Sequence, residues 1–195
     1  METSNYRIGG IEEEFSVDRL SDTGMELHLN FPPHKNTFLF DIEKDGEIED
    51  YAKQFTYHTY ITGNAKETLL SVICHFTIVL RHGLLCYDFQ DLLIGYRNYN
   101  HIYGRIFDDE QLIEYVKGND LKYKYIFIIF HFNEDYIKNN DMNYITKFYE
   151  TLYKMDQMDN TYFYWQIAPQ AKYLQDIEPT VRNILENKNV FIGMY

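Results

Sequence analysis

The strongest constraint on how this chain can fold lies in residues 121–168. A near-continuous apolar run (residues 123–132, YKYIFIIFHF) is followed by a segment with helical spacing (141–155) and a second aromatic run (162–167, YFYWQI). A strand buried on both faces reads as unbroken hydrophobic sequence. Two such strands joined by an amphipathic helix make a βαβ unit with parallel strands and a right-handed crossover. Asp141 stands where an N-cap belongs, and Ile145, Phe148, Tyr149 and Leu152 form the stripe expected to face the sheet.

Upstream, residues 1–62 have strand character. Runs at 11–17, 25–31 and 37–42 are separated by Ser21-Asp22-Thr23-Gly24 and by Pro32-Pro33, and residues 25–31 alternate apolar with polar. This predicts an antiparallel meander. Residues 43–47 (EKDGE) have the form of a hairpin turn leading into a further alternating strand, in which Phe55, Tyr57, Thr59 and Ile61 oppose Thr56, His58 and Tyr60. Asn64 with Glu67 opens a helix expected over 65–82, closed by Arg81, His82 and Gly83, and apolar around most of its circumference. Such a helix is central, buried on more than one side.

The next stretch is harder to order. Residues 84–87 suit a short strand and 89–94 a helix, while 96–103 (YRNYNHIY) suit a binding loop. Asp108 with Gln111 caps a helix over 109–117 that stops at Gly118. After Pro169, a helix near 179–186 and a strand over 190–195 repeat the α-then-β alternation. The expectation is one mixed α+β domain spanning 1–195. An acidic β-rich subregion (1–62) joins an α/β core (63–195) whose C-terminal half is βαβαβ-like, all in one mixed sheet with helices packed on it.

Charge narrows the partners. Residues 1–62 hold 13 Asp or Glu against 5 Lys or Arg, a net −8 of the chain's −12. Nucleic-acid backbones and anionic membranes are bound by basic patches, so neither is an expected partner; a basic protein is. Aromatic residues make up 17% of the chain, with 19 tyrosines whose hydroxyls must reach solvent or a partner. Cys74 and Cys86, both in apolar sequence, read as reduced, buried thiols and favour a cytoplasmic setting. No leader-like segment is evident at the N-terminus, and no apolar run is long enough to span a bilayer.

Three constellations invite chemistry. Asp41, Glu43, Asp45 and Gly46 resemble the start of an EF-hand loop, but Ala52 stands where the closing glutamate belongs, and an Asp-Gly hairpin accounts for the same residues. His75-Phe76-Thr77 has the His-x-Thr form that 2H phosphoesterases use in pairs; only one copy occurs, inside the expected helix, which makes His75 a core or interface histidine. In open α/β sheets ligands bind beyond the carboxyl ends of the strands. Those positions here are His131, Asn133, Glu134 and Asp135, with Gln166 and Gln170 after the second strand and Asp88 after 84–87. Histidine with carboxylates can hold a divalent metal or exchange protons, although a run such as Asn133–Asp135 also suits a solvated turn. Glycine-rich phosphate loops, G-x-S-x-G elbows and C-x-x-C pairs do not occur.

Two functions follow. The first is an interaction or inhibitor protein of the immunity or anti-defence kind, without a cofactor, that occludes a basic protein through Glu12, Glu13, Glu14, Glu43, Asp45, Glu47, Glu49, Asp50, Tyr99 and Tyr103. The alternative is a small metal-dependent hydrolase using His131, Glu134, Asp135 and Asp88.

Overall fold

The computed structural model describes residues 14–21, 23–31, 34–42, 51–80, 89–119, 121–132, 143–169, 185 and 188–195. Within them eight strands form one mixed sheet: β1 (Glu14–Leu20), β2 (Gly24–Phe31), β3 (His34–Ile42), β4 (Tyr57–Thr62), β5 (His101–Phe107), β6 (Tyr125–Phe132), β7 (Tyr162–Pro169) and β8 (Asn189–Met194). Their order across the sheet is β1-β2-β3-β4-β5-β8-β6-β7. β1, β2 and β3 are the expected antiparallel meander. The expected βαβ unit is present too: β6 and β7 are adjacent and parallel, linked through α4 (Asn143–Asp156).

Between these ends the topology departs from the sequence expectation. β4 pairs with β3 in parallel rather than as the second strand of a hairpin, and residues 43–47, read as the hairpin turn, lie outside the described residues. Among the described residues of the connection, a 3₁₀ turn (Ala52–Gln54) precedes β4. Local Asp-Gly chemistry fits a two-residue turn, but the pairing of long strands is decided by which apolar faces meet. The helix expected over 89–94 is present and longer, as α2 (Phe89–Asn98), whereas the loop expected to run to 103 gives way at His101 to β5. β8 is not a further parallel strand. It inserts between β5 and β6, antiparallel to both.

α1 (Ala65–Leu80) begins as anticipated, with the Asn64 side chain accepting from the Glu67 N–H at 3.0 Å. The Glu67 carboxylate does not fold back on the cap; it accepts the Ile106 N–H at 2.8 Å and so ties the helix start to β5. Every residue from Thr68 to Val79 except Leu70 is buried, as an all-round apolar helix requires. Gly104 permits this close seating, because a Cβ there would lie 2.8 Å from Thr68 Cα and from Ser71 Cβ. The Thr68 hydroxyl bonds the Gly104 backbone on both sides, donating to its carbonyl and accepting from its N–H.

α1 and α2 cover one face of the sheet, burying Met25, Leu27, Leu29, Phe38, Phe40, Ile61, Ile102, Tyr125, Phe127, Ile129, Val190, Ile192 and Met194. α3 (Asp109–Gly118) and α4 cover the opposite face toward β6 and β7, over Ile126, Ile128, Phe130 and Phe191. α3 carries the full capping box foreseen from Asp108 and Gln111. Its last carbonyls receive the Lys154 ammonium, which donates to Val116 O at 2.6 Å and Lys117 O at 3.2 Å. On α4 the buried stripe is Phe148, Thr151 and Met155 with Leu152 half-buried; Tyr149, expected inside, is 64% exposed. The stripe is rotated by one position because Phe148 meets Phe130 at 4.7 Å between ring centres. The links β4→β5, β5→β6 and β6→β7 all step the same way between parallel strands, yet the first runs over the α1 face and the others over the opposite face. The α1–α2 crossover therefore has the opposite hand to the other two.

The expected N-cap Asp141, the end of the first helix at 81–83, the strand over 84–87 and most of the helix near 179–186 lie outside the described residues.

Candidate binding surface

The two faces of β4 and β5 differ sharply in chemistry. Toward α1 they present Tyr57, Thr59, Ile61, Ile102 and Gly104; away from it they present His58, Tyr60, Thr62, His101, Tyr103 and Arg105. Register places Asp41, Tyr60 and His101 side by side on this opposite face, and His101 exchanges backbone hydrogen bonds with Tyr195 on the far side. Among the described helices, α3 reaches the Tyr103 and Tyr123 end of this face through Tyr115.

The rings make a continuous strip. Between centres, His58 and Tyr60 are 4.6 Å apart and Tyr60 and His101 5.6 Å; His101 and Tyr195 are stacked at 5.3 Å and 7°. Tyr123 lies 6.1 Å beyond Tyr195, Tyr103 is 5.9 Å from Tyr123, and Tyr115 of α3 is 6.3 Å from Tyr103. These are offset and tilted contacts of the kind that hold aromatic side chains in place. Glycine makes room for them: a Cβ at Gly193 would lie 2.5 Å from the Tyr123 ring. At the upper end the Arg105 guanidinium sits 4.8 Å over the Phe107 ring and 5.9 Å from the Tyr115 ring.

The strip is bounded on both sides. Toward β2 the 3₁₀ turn folds over the sheet, where the Tyr51 hydroxyl donates to Glu26, Phe55 meets His28, and Ala52 and Leu39 are buried. Toward β6, α3 closes over Phe191. Between these walls His58, Tyr60, His101, Tyr103 and Tyr123 are half-buried and Tyr195 is 46% exposed.

Charges along the strip are graded. Partial burial lowers the His58 pKa, and the Asp41 carboxylate opposes that shift. Burial pushes the Tyr123 hydroxyl far above its ordinary value, reinforced by its 3.1 Å hydrogen bond with Tyr115. Arg105 is held above its ordinary value, chiefly by a hydrogen bond with Tyr103. Lys124, exposed, follows Tyr123 at the strip's far end.

His75 belongs to a different environment. It is fully buried in α1 with Nδ1 3.3 Å from the Tyr96 hydroxyl and its ring 4.3 Å from that of Phe127, and burial lowers its pKa to about 3. It is the core histidine anticipated for the lone His-x-Thr.

Of the residues singled out from sequence, the structure brings only Tyr103 and Asp41 to this surface. Tyr99 packs against the α1 side of the sheet, so the expected 96–103 loop is divided between a helix, a core contact and a strand. Glu14 opens β1 opposite Asn30, and His131 sits in β6 opposite Ala168. Gln166 is buried within β7. Glu12, Glu13, Glu43, Asp45, Glu47, Glu49, Asp50, Asp88, Asn133, Glu134, Asp135 and Gln170 lie outside the described residues. Among the described residues no three His, Cys, Asp or Glu side chains come together as a metal site. Tyr60, Tyr123 and Tyr195 were not foreseen as binding residues, and His101 only as part of the expected 96–103 binding loop. Their signal is the polar side of the alternation in β4 and β5, legible only once 101–107 is recognised as a strand. Comparison of the chain with protein-family models, curated proteins and solved structures returned no match.

Proposed function

We propose that this chain is an interaction protein of the inhibitor kind, acting in the cytoplasm, that binds a basic protein partner through the tyrosine and histidine strip on β4, β5 and β8. The observation that carries this is the strip itself, a run of half-exposed rings fixed by mutual stacking on a rigid sheet. Tyrosine on a preordered scaffold supplies large contact area at small entropic cost, which is why such side chains dominate binding hot spots. The sign of the partner follows from the net charge of −12, concentrated in the third of the chain to which β4 belongs. The burial of Cys74 agrees with a reducing compartment, and no described helix is long and apolar enough to cross a membrane.

The test is capture from the native host, followed by association kinetics with the purified captured protein. A basic partner whose association slows as salt is raised, and slows further when Glu12, Glu13, Glu14 and Glu47 are replaced by glutamine, supports the proposal. A partner indifferent both to salt and to those replacements would sink it.

A further inference from the structure

Resting on the reading just given, we infer one group by which the partner is recognised: Arg105, with the hydroxyls of Tyr103, Tyr115 and Tyr123 beside it, takes a carboxylate side chain of the protein partner. The argument sets donors against acceptors. The Tyr115 and Tyr123 hydroxyls are 3.1 Å apart, and Tyr103 hydrogen-bonds with Tyr115 and with the Arg105 guanidinium. Burial holds Tyr115 and Tyr123 above the ordinary phenol value, so both stay protonated and remain donors. A guanidinium donates only, and has more N–H groups than one phenol oxygen can take. The cluster therefore holds hydrogens in excess of acceptors.

No carboxylate of the described residues supplies the missing acceptor within ion-pair distance of Arg105. Glu67, whose charge acts on Arg105, accepts the Ile106 N–H instead. The cations near α3 are engaged otherwise: Lys117 pairs with Glu150 at 2.9 Å, Lys154 donates to the last carbonyls of α3, and Lys188 reaches Asp108 at 3.9 Å. An exposed arginine without a carboxylate, in a chain of 30 acidic and 18 basic residues, marks a place where the acceptor comes from outside. Arg105 is also held in position, 4.8 Å over the Phe107 ring and 5.9 Å from the Tyr115 ring. A guanidinium fixed in this way loses little freedom on meeting a carboxylate, to which its planar fork presents parallel N–H groups. A phosphate monoester offers similar oxygens but carries about two charges, which one arginine offsets only in part against the net −12 of the chain. A basic protein still bears carboxylates, and seating one on Arg105 fixes register where the acidic surface alone gives only attraction.

The experiment titrates the full chain with N-acetylglutamate N-methylamide, its glutamine counterpart and inorganic phosphate, following the Arg105 Nε–H and Tyr115 ring signals by NMR. The expected result is a saturable shift of both signals with the glutamate compound and none with the glutamine compound. Affinity should fall about tenfold or more in Arg105→Lys, read at the Tyr115 ring, because an ammonium cannot make the paired contact. It should fall about threefold or more in Tyr115→Phe/Tyr123→Phe, read at Arg105 Nε–H, which keeps the rings and removes the hydroxyls. Circular dichroism verifies folding, and Arg105→Lys, at an exposed position, serves alone if the double variant does not fold. No saturable shift with the glutamate compound, equal shifts with the glutamine compound, or an affinity unchanged in Arg105→Lys overturns the carboxylate site, while the basic partner keeps its separate test by salt and acidic replacements. Phosphate binding tighter than the glutamate compound overturns the choice of ligand.

Discussion

The molecule holds two aromatic assemblies built from the same kinds of ring at the same spacings, one on each face of the sheet. Beneath α1 and α2, Phe38, Phe40, Phe76, Tyr96 and His75 meet at 4.9 to 6.4 Å between centres and are at most 4% exposed. On the opposite face His58, Tyr60, His101, Tyr195, Tyr123 and Tyr103 meet at 4.6 to 6.1 Å and remain partly in solvent. Ring spacing therefore does not distinguish a core from a site. What distinguishes them is how far the described helices cover the rings: α1 and α2 enclose the first set, whereas α3 reaches only Tyr103 and Tyr123 of the second, and the alternation of each strand sets this. One side of β4 and β5 is apolar enough to receive α1, whereas the other carries hydroxyls, imidazoles and a guanidinium that favour water.

The difference predicts unequal costs of truncation. Phe76→Ala, at a side chain with no exposure, should lose about 3–5 kcal/mol in chemical denaturation. Tyr195→Ala on the strip should change stability by about 0.5 kcal/mol or less. Comparable losses at the two positions would erase the distinction between core and surface.

Histidine sharpens the same contrast with pH. His75 is held neutral, with a folded pKa of about 3 against 6.5 for the ordinary residue. Protons therefore favour the unfolded chain, and the stability tied to neutral His75 is complete above pH 6.5 and is lost as pH falls toward 3. The wild type should lose up to about 1.4 kcal/mol per pH unit across that window relative to His75→Gln. Parallel pH profiles for the two proteins would mean that His75 titrates normally.

A smaller effect separates tight from open packing at glycine. Gly104→Ala drives a Cβ against the backbone of α1 and should cost about 1–3 kcal/mol. Gly118→Ala at the end of α3, where nothing lies within 4 Å of the added carbon, should gain about 0.4–1 kcal/mol.

Local patterns carried much of this fold into view. The βαβ unit, the meander, the Asn64 and Asp108 caps and the buried α1 are each written in a short window, through apolar periodicity or a capping side chain. The order of the middle strands is not. β3 and β4 run parallel because their apolar faces serve one core, and β8 enters between strands that precede it by many residues; both are decided by long-range burial rather than by turn residues. The binding surface was obscured for a related reason. In residues 96–103, polarity and tyrosine content resemble a loop, yet Tyr96 is core, Tyr99 leans on the core, and His101 and Tyr103 are the solvent side of a strand. A half-exposed strand and a polar loop share a composition and differ only in alternation, which here spans only seven residues.

The most direct test of the open strip follows the histidine ring protons by NMR, assigned through single His→Gln variants, while the captured partner is added. The account predicts progressive shifts of the His58 and His101 signals with the His75 signal unmoved. Partner binding that leaves His58 and His101 where they were would contradict it.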